Sequence, residues 1–346
     1  MKRARITALK TWRLFSFQRK KQIKNEEMFP ECRNMNHWQR YVLPRKTMKL
    51  HTTRKIPSRS CGDIPPGTAG RYLPDQSGIL AFRSMVRRYY RQHGRQMAWR
   101  QSTDPYQILV SEIMLQQTQV ERVTVKYPEF VAAFPDFDAL AAAPLADILR
   151  AWQGMGYNRR AIALQKCAVL VRDEFDGVLP RDPKTLVQFP GIGKATASSI
   201  AAFAFNQPVV FIETNIRRVF IHFFFQDRDT VFDNDILPLV QSALDKKDPR
   251  TWYWALMDLG STLKKIRDNP NRRSAHYTKQ SAFEGSDRKI RGLVLRLLLS
   301  SEGMEIAEIA KRVPADPDRV RRIVTSLENE GFLGRSGNRI VVGDPV

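Results

Sequence analysis

Cysteine is scarce in this chain. The three present, Cys32, Cys61 and Cys167, are far apart and form no Cys-x-x-Cys pair. That spacing argues against a disulfide framework and against structural zinc, and it fits a reducing compartment. Cys167 lies in an apolar helical pattern and reads as core. Long apolar runs are also missing: no stretch reaches the roughly 18 residues that a membrane-spanning helix needs, and no apolar segment near the start precedes a small-residue cleavage site. A soluble cytoplasmic protein with no membrane partner is expected. Strand-like alternation is nearly absent and no internal repeat is found, so the fold class expected is mostly α.

Acidic residues are few, 35 against 57 Lys and Arg, which leaves a net charge of +22. The excess is uneven, because residues 1–60 hold 17 basic and 3 acidic side chains. Such an arm offers a polyanion many contacts, and the binding it gives is salt-sensitive and blind to sequence. Nucleic acid is the leading partner and an anionic membrane surface the second. The composition equally suits a disordered extension, and no function is rested on it.

With 42% apolar residues the remainder can bury a sizeable core. A Pro/Gly-rich linker, Ile64 to Gly70, closes an extension assigned to residues 1–75. From Ile79 onward apolar residues recur at helical spacing, cut by Asp104-Pro105, Phe134-Pro135, Leu179-Pro180 and Gln207-Pro208. These define a helical domain over 76–268. A polar connector over 269–288 is expected to wrap the surface. Residues 289–346 then show three short helical patterns and a hairpin turning at Ser336-Gly337-Asn338, which together predict a winged helix. Its third helix carries Arg319, Arg321 and Arg322, and its hairpin Arg335 and Arg339, as a groove-reading helix with a phosphate-touching wing would. A solvated, protein-binding face is the alternative.

Two segments carry chemistry. In Asp104 to Thr118, Asp104 can cap a helix and Pro105 fits its first turn. Glu112 then stands in the helix body with Gln116 one turn later. Its neighbours Ile108, Leu109, Val110, Ile113, Met114 and Leu115 are so apolar that the helix should be buried nearly all round, which favours the protonated acid. In Leu186 to Ala197, a helix, the turn Pro190-Gly191-Ile192-Gly193 and a second helix beginning at Lys194 present backbone N–H groups that can hold a phosphate. Such a turn alone is a weak signal.

Together with Trp152 to Tyr157 and Glu213-Thr214-Asn215, these motifs lie in the order and spacing of the MutY-type adenine DNA glycosylases, which the chain resembles over residues 76–265. The resemblance implies a two-lobed fold of the helix-hairpin-helix (endonuclease III) superfamily and hydrolysis of the N-glycosidic bond of mispaired adenine, opposite 8-oxoguanine or guanine. It implies a monomer that acts on double-stranded DNA at a mismatched or damaged pair, with a nucleoid-associated location. By the same resemblance Glu112 is the acid that protonates the leaving adenine, and Glu213 with Asn215 forms the second catalytic group. Gln116, Gln117 and Thr118 face the stack or the opposite base, and Tyr157 is an aromatic wedge. Arg95, Trp99, Arg100 and Asp258 belong to the adenine pocket, while Gly191, Gly193 and Lys194 grip the strand at a hairpin that also suits a monovalent cation.

The chemistry agrees with that assignment. Breaking the bond builds positive charge on the sugar and negative charge on the base, so one proton donor and one carboxylate serve it.

The chain departs from the family in four places. Glu213 stands for the usual Asp, and it can instead cap a helix or pair with Arg217 or Arg218. Ala195 occupies the position of the lysine nucleophile of the glycosylase/lyases, and Lys194 should point about 100° away on a helix; base removal without strand cleavage is expected. The four cluster-ligating cysteines are missing, so no iron–sulfur cluster is expected, and Lys264, Lys265, Arg272 and Arg273 are expected to touch phosphate in the loop's place. A winged helix stands where the 8-oxoguanine-reading domain belongs. Two alternatives stay open: a thymine or uracil glycosylase acting opposite guanine, and a catalytically silent DNA-binding regulator.

Overall fold

The computed structural model describes residues 74–266, 268–279 and 282–343; the basic arm, Cys32 and Cys61 lie outside them. Helices dominate. In chain order they are α1 (Gln76–His93), α2 (Pro105–Leu115), α3 (Val120–Ala133), α4 (Phe137–Ala142), α5 (Leu145–Ala151), α6 (Arg159–Glu174), α7 (Pro183–Leu186) and α8 (Lys194–Phe205). There follow α9 (Thr214–Phe224), α10 (Asp233–Ala243), α11 (Pro249–Ile266), α12 (Asp287–Leu299), β1 (Met304–Glu305), α13 (Ile306–Arg312), α14 (Pro317–Asn329), β2 (Leu333–Ser336) and β3 (Arg339–Val342). The chain divides into two units, one built from residues up to Gly94 with 212–244 and 252–277, the other from 95–211, 245–251 and 278 onward.

In the first unit α1 begins where Asp75 accepts the Gly78 N–H at 2.8 Å. Its apolar stripe of Ile79, Phe82 and Val86 is buried. The Phe82 ring lies 5.1–6.1 Å from those of Phe220, Phe223, Phe224 and Trp252, an aromatic core of the kind that supplies much of a small domain's burial. Arg83 satisfies the carbonyls of Ser242, Ala243 and Leu244 at the end of α10.

The segment from Asn269 departs at its start from the surface connector expected over 269–288, while its described residues 275–279 and 282–285 are exposed. Residues Pro270–Arg273 form a 3-10 turn, and Pro270, Asn271 and Ser274 are buried. Asn271 donates to the Thr214 carbonyl at 2.8 Å, and Val231 exchanges backbone bonds with Arg273 and Ala275. The Arg273 guanidinium bonds to the carbonyls of Ile221, Phe225, Gln226 and Arg228. It therefore closes the C-terminus of α9, where orphan carbonyls need donors, and is not spare for phosphate. Lys264, Lys265 and Arg272 are exposed.

In the second unit α2 starts as its residues dictate: Asp104 accepts the Tyr106 N–H at 2.9 Å and Pro105 takes the first helical position. Seven of its eleven residues are buried, and α8, rich in alanine, packs along it. The C-terminal elements α12, α13 and α14 surround a three-stranded antiparallel sheet of order β1-β3-β2, with Met304 opposite Ile340 and Leu333 opposite Val342. Val294, Leu298, Ile309, Val320, Val324, Leu327, Phe332 and Ile340 form their core. Glu330 joins these elements to α6 and α12, held by Arg159 at 2.6 Å and Arg291 at 2.5 Å. The two guanidinium groups and the Ser326 hydroxyl lower its pKa to about 2. Three arginines expected to face DNA are already paired, Arg319 with Asp287, Arg321 with Asp318 and Arg335 with Glu328.

Candidate active site

Glu112 is half-buried on α2, and its carboxyl meets the buried Ser199 hydroxyl of α8 at 2.5 Å. The same hydroxyl lies 2.9 Å from the Thr196 carbonyl. One hydroxyl proton faces two acceptors. When Glu112 is ionised, Ser199 can satisfy only one of them; when it is protonated, the acid donates to Ser199 and Ser199 donates to Thr196, so both bonds carry a proton.

The hairpin next to this pair owes its shape to one glycine. Gly191 has φ +75°, and a Cβ there would lie 2.9 Å from the Cβ of Ala163; both demands exclude a side chain. Gly193, the N-cap of α8, has open space where a Cβ would be. Cys167 donates to the Pro190 carbonyl at 3.2 Å, and burial pushes its thiol up to about 12, so it stays a packed thiol and not a nucleophile. Lys194 and Ala195 are exposed at the start of α8. Gln116 is tied to the hairpin, its amide donating to the Gly191 carbonyl at 3.1 Å and to the Thr196 hydroxyl at 3.3 Å.

Beyond Gln116 the backbone turns sharply. Exposed Gln117 has φ +53°, and Tyr157, on a second loop, has φ +49°. Left-handed conformations are uncommon for residues other than glycine and tend to mark functional loops. Both loops end on one side chain, Arg160, which sequence reasoning passed over. Its guanidinium donates to the carbonyls of Ile113, Met114 and Gln116 at 2.6–2.8 Å, to the Thr118 hydroxyl at 2.9 Å and to the Gly156 carbonyl at 3.0 Å. Burial lowers its pKa to about 10, still far above neutrality. In sequence Arg160 looks like one more surface arginine of a helix, and nothing local marks it. Ser199 had a faint signal as a hydroxyl within the apolar run of α8. Arg288, which bonds to the Tyr157 hydroxyl and lies 4.9 Å from its ring centroid, had none.

Trp99, expected in the adenine pocket, is buried in a 3-10 turn (Ala98–Arg100) and packs edge-on against Tyr127, with centroids 5.7 Å apart. Arg100 in the same turn bonds back to the Arg95 carbonyl at 3.3 Å.

In the first unit Glu213 is the N-cap of α9, as its alternative reading held, with Oε1 accepting the N–H groups of Asn215 and Ile216 at 2.6 and 2.7 Å. Among the described residues its Oε2 meets the Asn215 amide alone, at 3.3 Å. Loss of hydration raises its pKa, which outweighs the two N–H donors and the neighbouring Arg218 and Arg217. Arg217 itself is paired with Asp233 at 2.6 Å, and Arg218 holds Asn215, Asn269 and the Gly260 carbonyl. Gly260 is required, since a Cβ there would stand 2.3 Å from the Asn215 carbonyl oxygen. Asp258, also on α11, is buried.

A helix, a glycine hairpin and a second helix that carries the partner of a half-buried carboxyl define a class. Residues 110–233 match the HhH-GPD superfamily base excision DNA repair proteins. The chain is 34% identical over 269 residues to the adenine DNA glycosylase of Mycolicibacterium smegmatis, covering 72% of this chain and 92% of that one. It is also 34% identical over 267 residues to the adenine DNA glycosylase of Mycobacterium tuberculosis, covering 69% and 82%. A solved thermostable thymine-DNA glycosylase superposes with a TM-score of 0.49 at 23% identity, over 56% of this chain and 90% of that one. The chain belongs to the adenine DNA glycosylase family of the helix-hairpin-helix superfamily.

Among the described residues no group of three or more His, Cys, Asp or Glu side chains is placed to hold a metal, and no helix is long and apolar enough to cross a membrane.

Proposed function

We propose that this chain is a monofunctional glycosylase of base excision repair that hydrolyses the N-glycosidic bond of adenine mispaired with 8-oxoguanine or guanine. The observation that carries the reading is the hydrogen bond between Glu112 and Ser199. A half-buried carboxyl within hydrogen-bond reach of a buried hydroxyl, able to exchange a proton with it, is suited to give a proton to a leaving base. Glu213 supplies the negative charge that an electron-poor sugar needs, through Oε2, which the backbone N–H donors on Oε1 do not engage and which accepts a longer bond from the Asn215 amide that orients it. Water is the final acceptor. The hairpin Gly191 to Lys194 holds a phosphate of the target strand or a monovalent cation beside it. Gln117, Thr118 and Tyr157 attend the opened pair, and Arg95, Arg100 and Asp258 serve the extruded base. Ala195 offers no amine for Schiff-base chemistry, which supports base release without strand cleavage. The Asn269 to Ser274 clasp uses amides and a guanidinium where the family's cluster loop belongs, which supports a fold free of iron and sulfide. The working form is a monomer.

Labelled duplexes bearing A:8-oxoguanine, A:G, T:G or U:G, followed by alkali to cleave abasic sites, test this. Release of adenine, abolished by Glu112→Gln, is the expected result. Release of thymine or uracil without adenine would replace the substrate; equal background release by wild type and variant, with DNA binding intact, would make the chain a silent binder.

A further inference from the structure

In the Glu112-bearing unit a cavity runs from Gln117, Thr118 and Tyr157 to residues that the chemistry above does not use. It lies between the loops at 116–119 and 153–160 and the helices α12 and α14, with a volume of about 1090 Å³. Pockets for small molecules run to roughly 300–1,000 Å³, so this one suits a length of chain better than a metabolite. Eight arginines line it and one carboxylate, Asp287, which Arg319 already neutralises. Glu330 absorbs Arg159 and Arg291 behind the wall. Arg122, Arg296 and Arg322 differ, being exposed and, among the described residues, having no hydrogen-bond or ion-pair partner for their side chains. Phe283 lines the same space 53% exposed, with Arg288 5.4 Å from its ring centroid. Gly292, in mid-helix on α12, would place a Cβ in open space. A helix interior is a costly place for glycine, and here it keeps the floor clear.

Cationic side chains and an exposed aromatic ring lining one groove are the means by which proteins hold a nucleic acid strand without reading its sequence. We propose that this cleft binds a single strand of DNA, with Arg122, Arg296 and Arg322 on phosphates and an unpaired base stacked on Phe283. The inference rests on the reading of the chain as a DNA glycosylase. It also turns the C-terminal elements from groove reading to strand holding, since among the described residues Arg319, Arg321 and Arg335 lie in surface ion pairs whereas Arg122, Arg296 and Arg322 do not.

The test uses the full chain and a fluorescent single-stranded oligodeoxynucleotide, with affinity measured across a salt series. Removing one phosphate-binding arginine lowers the slope of log K against log salt by about 0.7. The double variant Arg296→Ala/Arg322→Ala should therefore reduce the slope by about 1.4. Phe283→Ala should weaken binding about tenfold at constant slope, within the range for a stacked base. The control Arg321→Ala/Arg335→Ala, which removes exposed but paired arginines, should keep the wild-type slope. Wild-type behaviour of the cleft variants, or an equal reduction in the control, overturns the proposal. Adenine release is measured on the same preparations. Release with unaltered strand binding rejects the cleft alone, whereas altered strand binding in a chain that releases no base rejects the enzymatic reading alone.

Discussion

The Ser199 hydroxyl stands between the Glu112 carboxyl and the Thr196 carbonyl, 2.5 Å from one and 2.9 Å from the other. The hydroxyl can donate to either acceptor when Glu112 is ionised, and can accept from Glu112 while donating to Thr196 when that carboxyl carries a proton. Ser199→Ala removes the acceptor that the acid form uses, so single-turnover base release should fall about tenfold and the basic limb of its pH profile should move to lower pH. Glu112→Gln should slow release at least about 100-fold, the lower range for a general acid. A Ser199→Ala profile that overlies wild type would show that the hydroxyl only packs.

Arg160→Ala should be among the most destabilising single changes in the second unit. It takes the guanidinium from the carbonyls of Ile113, Met114 and Gln116; Ile113 keeps the Gln116 N–H and Gln116 the Thr118 hydroxyl, so the Met114 carbonyl is the one most exposed to the cost of about 1–3 kcal/mol for an unsatisfied buried group. A drop of about 1–3 kcal/mol in urea unfolding is expected. Arg160→Lys should recover little, because an ammonium cannot span donors set out in a plane. Full recovery by lysine would show that charge alone suffices.

Gly191→Ala should destabilise the hairpin by about 1–3 kcal/mol through its left-handed backbone and its closeness to Ala163, whereas Gly193→Ala, with open space around it, should leave stability nearly unchanged. Thermal melts of the two variants separate the cases. If Gly193 proves as sensitive as Gly191, close packing is not the distinction between them.

The helix beginning at Asp104-Pro105, the burial of α2 and the hairpin were legible because local chemistry decides them: a cap, a ring with fixed φ, and glycine. The Asn269 to Ser274 clasp was not. Asn271 and Arg273 are polar by type, and only the carbonyls of distant α9, together with Thr214, turn them inward. Arg160 and the arginines of α14 and β2 were illegible for the same reason, since the partners that commit them are remote in sequence or, as with Arg321 and Asp318, ordinary helical neighbours. β1 is two residues long and pairs only through β3, too short for any alternation to show.

Glu330 offers a pH test. Its carboxyl has an ordinary value of 4.5 and falls to about 2 between Arg159 and Arg291. A lowered folded value contributes stability that is whole above the unfolded value and is lost as pH falls through the folded one. The melting-temperature gap between wild type and Glu330→Gln should thus be widest near neutrality and should shrink from pH 4.5 towards 2. A gap independent of pH would mean the ion pairs contribute nothing net.

Purified protein should contain no iron or acid-labile sulfide, and borohydride should trap no covalent adduct with substrate DNA. Either signal would contradict the reading of the 269–274 clasp or of Ala195.

Because the stretches at 116–118 and 155–157 terminate on the same guanidinium, neither is free to drift alone. A replacement that reshapes one must be matched by the other or by Arg160 itself, so among relatives these positions should change together, and a graft of either stretch from another glycosylase should succeed only when its companion travels with it.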